Sequence, residues 1–180
     1  DKTGTLTKGE FKVSEVLPSA EKNNTIGKEE LLEIAAYGEG YSNHPIANSI
    51  REAYGKTLSM ERVTDTEEIA GHGIHTFIDG REVYLGNAKL MEAQNISYTE
   101  NKTAGTVVYV ACNNVFAGSI VISDTVKEGS KNAITDMKKV GVKKTVMLTG
   151  DRQAAADAVA AELGIDEVHA ELLPADKVGE

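Results

Sequence analysis

Asp1-Lys2-Thr3-Gly4-Thr5-Leu6-Thr7 sets an acid beside a lysine, a glycine and three hydroxyls, with Leu6 its one apolar residue. Such a stretch gives little to a core and much to a phosphoryl group. A carboxylate nucleophile needs neighbours that cancel charge on an incoming phosphate, and backbone N–H groups free to point at it. Gly4 allows a tight turn, and Thr3, Thr5 and Thr7 add donors. The bland alternative is a solvated tail whose Asp caps a helix; the full heptad is too particular for it.

Working outward, the last third of the chain has an α/β pattern. Thr145-Val146-Met147-Leu148 is a short apolar run that ends in Thr149-Gly150-Asp151, and an alanine-rich helix follows over Gln153 to Leu163, closed by Gly164. Strand, polar turn and helix make the βα unit of a parallel sheet, which places its chemistry at the carboxyl ends of strands. A helix N-terminus offers free N–H groups and a positive dipole end to a phosphate, although Asp151 is equally a good N-cap. Upstream, Val126, Ala133, Ile134, Met137 and Val140 recur at helical spacing, and Gly141 stops the run.

The middle is different material. Lys28 to Glu39 reads as a helix with Leu31, Leu32, Ile34, Ala35 and Ala36 inward, and Pro45 suits the first turn of a second helix. From Glu67 the pattern becomes strands. Asp79-Gly80 and Asn113-Asn114 are hairpin turns, pairing His75–Ile78 with Glu82–Leu85 and Thr106–Ala111 with Val115–Ile122. A short helix, Ala88 to Gln94, lies between the hairpins. This is an α+β module inserted into the α/β one. Pro18 to Gly27 is the expected linker in and Ser119 to Thr125 the expected return. Residues 1–18 and 120–180 would then form one domain and 19–119 the other.

Composition narrows the function. The chain has 180 residues, 41% of them hydrophobic, and a net charge of -9. That charge argues against nucleic acid, which needs a basic footprint, but a nucleotide with magnesium can be held by local backbone donors. No apolar run approaches the ~18–20 residues that span a bilayer, and no signal peptide is visible. The single cysteine, Cys112, excludes an internal disulfide and a cysteine zinc site and fits a reducing compartment.

Six motifs together resemble one family. Asp1 to Thr7 is similar to the phosphorylation motif of P-type ATPases, whose Asp becomes an aspartyl-phosphate. Met147 to Arg152 resembles a second motif, and Ala170 to Lys177 a third. Ser42-Asn43-His44-Pro45 looks like the His-Pro motif of the heavy-metal (CPx-type) branch; Gly71-His72-Gly73 and Gly86-Asn87 match its glycine loop and Gly-Asn pair. Singly, each has a plain reading: His44 and Asn87 as caps, the glycines as turns, Glu39 and Lys177 as solvated charges. In one order over nearly the whole chain they identify the ATP-binding region of such an ATPase. Arg152 favours the zinc/cadmium/lead group over the copper group.

The resemblance implies a haloacid dehalogenase-like (Rossmann-like) phosphorylation domain, incomplete, with an inserted antiparallel-sheet nucleotide-binding domain. It implies that ATP phosphorylates Asp1 and that hydrolysis drives metal translocation. Magnesium would bridge phosphate, the Asp1 carboxylate and the Thr3 carbonyl. Thr149, Lys177 and Lys2 would neutralise charge, with Gly150 and Asp151 orienting their loop. Glu39, His44, Gly71, Gly73, Gly86 and Asn87 would hold the nucleotide, and the two domains would close to bring it to Asp1. The expected setting is the cytoplasmic face of the cell membrane, with zinc, cadmium or lead bound by membrane helices outside this sequence. The strand leading into Asp1 and a Gly-Asp-Gly-x-Asn-Asp magnesium motif also fall outside it, so the expectation is ATP binding without turnover. The alternatives are a free-standing haloacid dehalogenase-like phosphatase, which often carries a second Asp where Thr3 stands, and a non-catalytic nucleotide-binding module. His72 and His75 are expected to be solvated rather than metal ligands.

Overall fold

Residues 28–38 have glutamates in their first turn, where they suit the positive end of a helix dipole, and a continuous apolar stripe behind them. In a computed structural model of the chain, which describes residues 2–103, 105–150 and 153–172, they form helix α1, Lys28–Gly38. Its stripe of Leu31, Ile34, Ala35, Ala36 and Tyr37 is buried. Helix α2, Pro45–Tyr54, starts on Pro45, whose fixed φ is already helical, and stops at Gly55 in the left-handed region at φ 67°.

These helices pack on a six-stranded sheet. Its strands are β1 Thr7–Pro18, β2 Val63–Ile69, β3 Gly73–Ile78, β4 Arg81–Gly86, β5 Thr106–Cys112 and β6 Val115–Val126, in the order β1-β6-β5-β4-β3-β2. From β2 to β6 each neighbouring pair is antiparallel, with His75 opposite Tyr84 and Val108 opposite Ile120. Alternation decides the two faces. Val83, Leu85, Val108, Val110 and Cys112 point into the core shared with α1 and α2. Tyr84, Tyr109, Ala111 and Phe116 point the other way, onto α3, Ala88–Ala93. Arg62 staples the module: its guanidinium lies 4.4 Å over Tyr37, donates to Asp79 through Nε and to Glu33 at 2.7 Å.

The α/β material is smaller. Helix α4 is Ser130–Lys139, and β7 Val146–Leu148 pairs in parallel with β8 Glu167–His169 across α5, Gln153–Leu163. Met147, Ala156 and Ala160 form its core, with Leu6 and Val168 packed against them. Asp166 closes the turn into β8: it accepts from the Thr145 N–H at 2.8 Å, the Thr145 hydroxyl at 2.7 Å and Lys138 Nζ at 2.6 Å. Lys138 first, then Thr145, hold its carboxyl well below the usual carboxylate range.

Three expectations change. Val126 ends β6 and is not part of a helix, and Met137 and Val140 of the same periodic set are 47% and 83% exposed. Helix α4 is only ten residues long and buries Ser130 and Ile134, so the pattern overran the element. Pro18 to Gly27 is no free linker: Ser19 N–H donates to Ala117 O at 2.8 Å, and Asn24 Nδ2 donates to Ser19 O and Ala117 O. Ser119 to Thr125 lies inside β6. The chain divides into two compact units, Asp1–Glu10 with Lys102–Gly105 and Asp124–Glu180, and Phe11–Asn101 with Thr106–Ser123. The divisions thus fall within β1 and β6 rather than at 18/19 and 119/120.

Candidate functional site

Six residues singled out in the sequence line one cleft of about 600 Å³ in the second unit, a size suited to a small molecule. They are Glu39, His44, Gly71, Gly73, Gly86 and Asn87. Three local structures bring them there.

The first is the loop between α1 and α2. Glu39 caps α1, its N–H donating to Ala35 O at 3.0 Å. Burial pushes its carboxyl pKa up, opposed by the Ser42 hydroxyl and the charges of His44 and Arg51, and Glu68 pushes it up further. His44 caps α2, its Nδ1 accepting from the Ile46 N–H at 3.2 Å. Accepting through Nδ1 puts the proton of neutral His44 on Nε2. The plain reading and the cleft position therefore coexist: one nitrogen caps and the exposed one is a donor.

The second is the turn between β2 and β3. Gly71 adopts φ 72° with open space where a side chain would stand. Gly73 does the opposite. It lies in register with Gly86, and a Cβ on it would fall 2.0 Å from Leu85 O; one on Gly86 would fall 2.1 Å from His72 O. No other residue allows the two strands this approach. The third is the N-terminus of α3, where Asn87 Oδ1 accepts from Leu90 N–H at 3.2 Å and Nδ2 donates to Gly71 O at 2.8 Å. Asn87 thus ties the helix cap to the glycine turn.

In the first unit the opening heptad forms a turn. Lys2 O accepts from the N–H groups of Leu6 at 2.9 Å and Thr7 at 3.1 Å. Lys2 is buried and Thr3 exposed. The Thr7 hydroxyl donates to Asp124 Oδ2 at 2.5 Å, Ser130 Oγ to Leu6 O at 2.8 Å, and Lys127 Nζ to Gly4 O at 2.6 Å. Thr149, also buried, follows β7; its N–H donates to His169 O at 2.9 Å, and its carbonyl accepts from Leu172 N–H at 3.1 Å. Gly150 comes next, exposed, with Leu172 O 3.1 Å from where a Cβ would stand. Asp1, Asp151, Arg152 and Lys177 lie outside the described residues.

Two residues escaped the sequence reading. Asp124 sat in an expected return linker, yet it holds Thr7, and its Oδ1 is buried with no hydrogen-bond partner among the described residues. Arg51 belongs to none of the sequence motifs, yet its Nη1 donates to Glu39 O and to Ser42 O, the latter at 2.7 Å. His75 is not solvated: it stacks 4.5 Å from the Tyr84 ring and pairs with Glu82 at 3.0 Å. Among the described residues no cluster of three or more His, Cys, Asp or Glu is arranged to hold a metal.

The model of the haloacid dehalogenase-like hydrolases matches residues 1–179. The chain belongs to that family. Within it, the chain is similar to heavy-metal-transporting P-type ATPases. It is 49% identical over 180 residues, all of this chain, to a cadmium, zinc and cobalt-transporting ATPase of Bacillus subtilis (strain 168), covering 25% of that protein. It is 47% identical over 180 residues to a zinc-transporting ATPase of Synechocystis, covering 24% of it. A crystal structure of a zinc-transporting PIB-type ATPase in the E2.Pi state is similar at a TM-score of 0.77 and 34% identity, over 99% of this chain and 29% of that one. The catalytic domain of the CPx-ATPase CopB-B, described as changing conformation on nucleotide binding, is similar at a TM-score of 0.73 and 27% identity, over 99% of this chain and 62% of that one. The chain spans about a quarter of the length of the curated relatives it matches. Among the described residues, no helix is long and apolar enough to cross a membrane.

Proposed function

We propose that this chain is the ATP-binding and autophosphorylation unit of a heavy-metal cation-exporting P-type ATPase, working at the cytoplasmic face of the cell membrane on zinc, cadmium or lead. The observation that carries the reading is the gathering of Glu39, His44, Gly71, Gly73, Gly86 and Asn87 around one cleft. Glu39 and His44 make an acceptor and a donor side by side, which suits the edge of adenine with its exocyclic amine and ring nitrogens. The open backbone at Gly71 suits phosphate, since it leaves no side chain between the main chain and the ligand.

At the other site, an Asp1 carboxylate oxygen attacks the γ-phosphorus of ATP. The new oxygen–phosphorus bond forms as the bond to the β–γ bridging oxygen breaks, and ADP departs. Lys2, Lys177 and the Thr149 hydroxyl offset the charge that develops on the phosphoryl oxygens. The Asp1 carboxylate and the Thr3 carbonyl are oxygen donors of the kind magnesium takes, and the Thr3 turn is exposed. Magnesium, when bound, offsets phosphate charge there. Water then hydrolyses the acyl-phosphate. Thr3, in place of a second acid, leaves that step without a general acid/base two residues from the nucleophile, which favours a long-lived phosphoenzyme over a phosphatase.

Titrating the chain with ATP, followed by NMR, tests the first half. His44→Ala and Gly71→Val each weaken binding; unchanged affinity in both removes the nucleotide assignment. Labelled ATP tests the second half, since an acid-stable, hydroxylamine-labile label on the longer protein that vanishes in Asp1→Asn is the expected result.

A further inference from the structure

We infer that Arg51 is the positioning residue of the cleft: its guanidinium holds the loop between α1 and α2 in the shape that presents Glu39 and His44 to a nucleotide base. The inference rests on the nucleotide reading above and names the residue that sets its geometry.

The last carbonyls of a helix have no intrahelical partner and form the negative end of its dipole. At the end of α1 these groups run straight into the loop carrying Glu39, Ser42 and His44. Arg51, on the neighbouring helix, answers the cap carbonyl of Glu39 and a loop carbonyl beyond it, Ser42 O. One nitrogen, Nη1, donates to both Glu39 O and Ser42 O, and the other, Nη2, donates to Asn48 Oδ1. His44, Asn48 and Arg51 are spaced i, i+4, i+7, so the cap of α2, the residue steadying the guanidinium and the guanidinium itself share one stripe of the helix. The backbone contributes only short turns of its own, Gly40 N–H to Tyr37 O at 3.0 Å and Ser42 N–H to Glu39 O at 3.1 Å.

Arg51 is half-buried and does not line the cleft. It therefore acts through the loop. By engaging the Glu39 carbonyl and not its carboxylate, it fixes the backbone while leaving the acid to face a ligand, and its charge favours the ionised carboxylate. The rigid guanidinium aims both hydrogens of Nη1 at the two carbonyls while Nη2 is anchored on Asn48; a lysine supplies a point charge without that anchor. Freeing the loop divides its population, and apparent affinity falls with the fraction that remains competent.

The test measures ATP dissociation constants, urea midpoints and loop amide line widths for the 180-residue chain with Arg51→Gln, Arg51→Lys and His44→Ala. A competent fraction reduced to between about one third and one tenth raises the dissociation constant roughly 3- to 10-fold in Arg51→Gln. Arg51→Lys recovers part of that loss. The ATP-free Arg51 variants show broadened amides at residues 40–43, and their urea midpoints stay near that of the unaltered chain. Arg51→Gln binding ATP within twofold of normal while His44→Ala weakens it overturns the role of Arg51 and leaves the site standing. Should neither variant alter affinity, the base site falls and Arg51 with it. A loss of affinity that tracks a collapse of the urea midpoint in both Arg51 variants makes Arg51 a fold residue only and likewise overturns the inference.

Discussion

His44 has two separable jobs, and two substitutions pull them apart. Its Nδ1 accepts the Ile46 N–H at 3.2 Å as the N-cap of α2, while the rest of the ring lines the cleft. Alanine removes both roles. Asparagine is among the best N-caps and keeps the first while lacking the ring. Losing a cap to alanine costs about 1 kcal/mol. With a urea slope of roughly 1–3 kcal/mol per molar, that lowers the midpoint by about 0.3–1 M. Asparagine should leave it nearly unmoved. Losing a ring contact and one Nε2–H hydrogen bond to a base costs about 1–1.5 kcal/mol, or roughly tenfold in ATP affinity. Both variants should show that loss. The assay pairs urea unfolding with an ATP titration of each protein. If His44→Asn binds ATP as tightly as the unaltered chain, His44 is a cap and nothing more. If His44→Ala keeps its urea midpoint, the cap itself contributes nothing.

Three further outcomes follow from the geometry. Gly73→Ala and Gly86→Ala, whose new Cβ atoms would fall 2.0 and 2.1 Å from carbonyl oxygens, should each destabilise by about 2–3 kcal/mol in urea unfolding. Gly71→Ala has open space and bears only left-handed strain, about 1 kcal/mol. Burial raises the Glu39 pKa in the folded chain, so its stabilising share is whole below the ordinary value of 4.5 and lost as pH rises through the folded value. Glu39→Gln should therefore be more stable than the unaltered chain at pH 7, by a margin that closes below 4.5, while binding ATP less well; a Gln variant less stable at neutral pH contradicts this. Thr7→Val removes the hydroxyl that donates to Asp124 at 2.5 Å in a buried setting, and should cost about 1.5–3 kcal/mol in thermal unfolding.

Both hairpins of the insert were legible because Asp79-Gly80 and Asn113-Asn114 supply the positive φ that their turns require. The start of α2 was legible because Pro45 presets it. Strand β1 was not: of its twelve residues only Thr7 and Val16 are buried, and its apolar alternation is confined to Phe11 and Val13. The helical set from Val126 to Val140 misled because Val126, the last residue of β6, fell on the spacing of α4 by chance. At the site, the motif glycines were visible as glycines, but not which of them faces open space and which is locked against backbone. Arg51 and Asp124 were invisible for a different reason. Each acts across a long sequence separation or on main-chain atoms, and nothing in the identity of an arginine or an aspartate announces a carbonyl or a threonine as its partner.

The facing of Gly73 and Gly86 has a consequence for how the chain tolerates change. Each missing Cβ leaves room for the backbone of the other's strand. A separation of β3 and β4 that accommodates a side chain at one position largely accommodates it at the other. Their costs therefore overlap, and the double variant should lose much less than the sum of the singles. A chain that has accepted a side chain at one of them should accept one at the other at reduced cost.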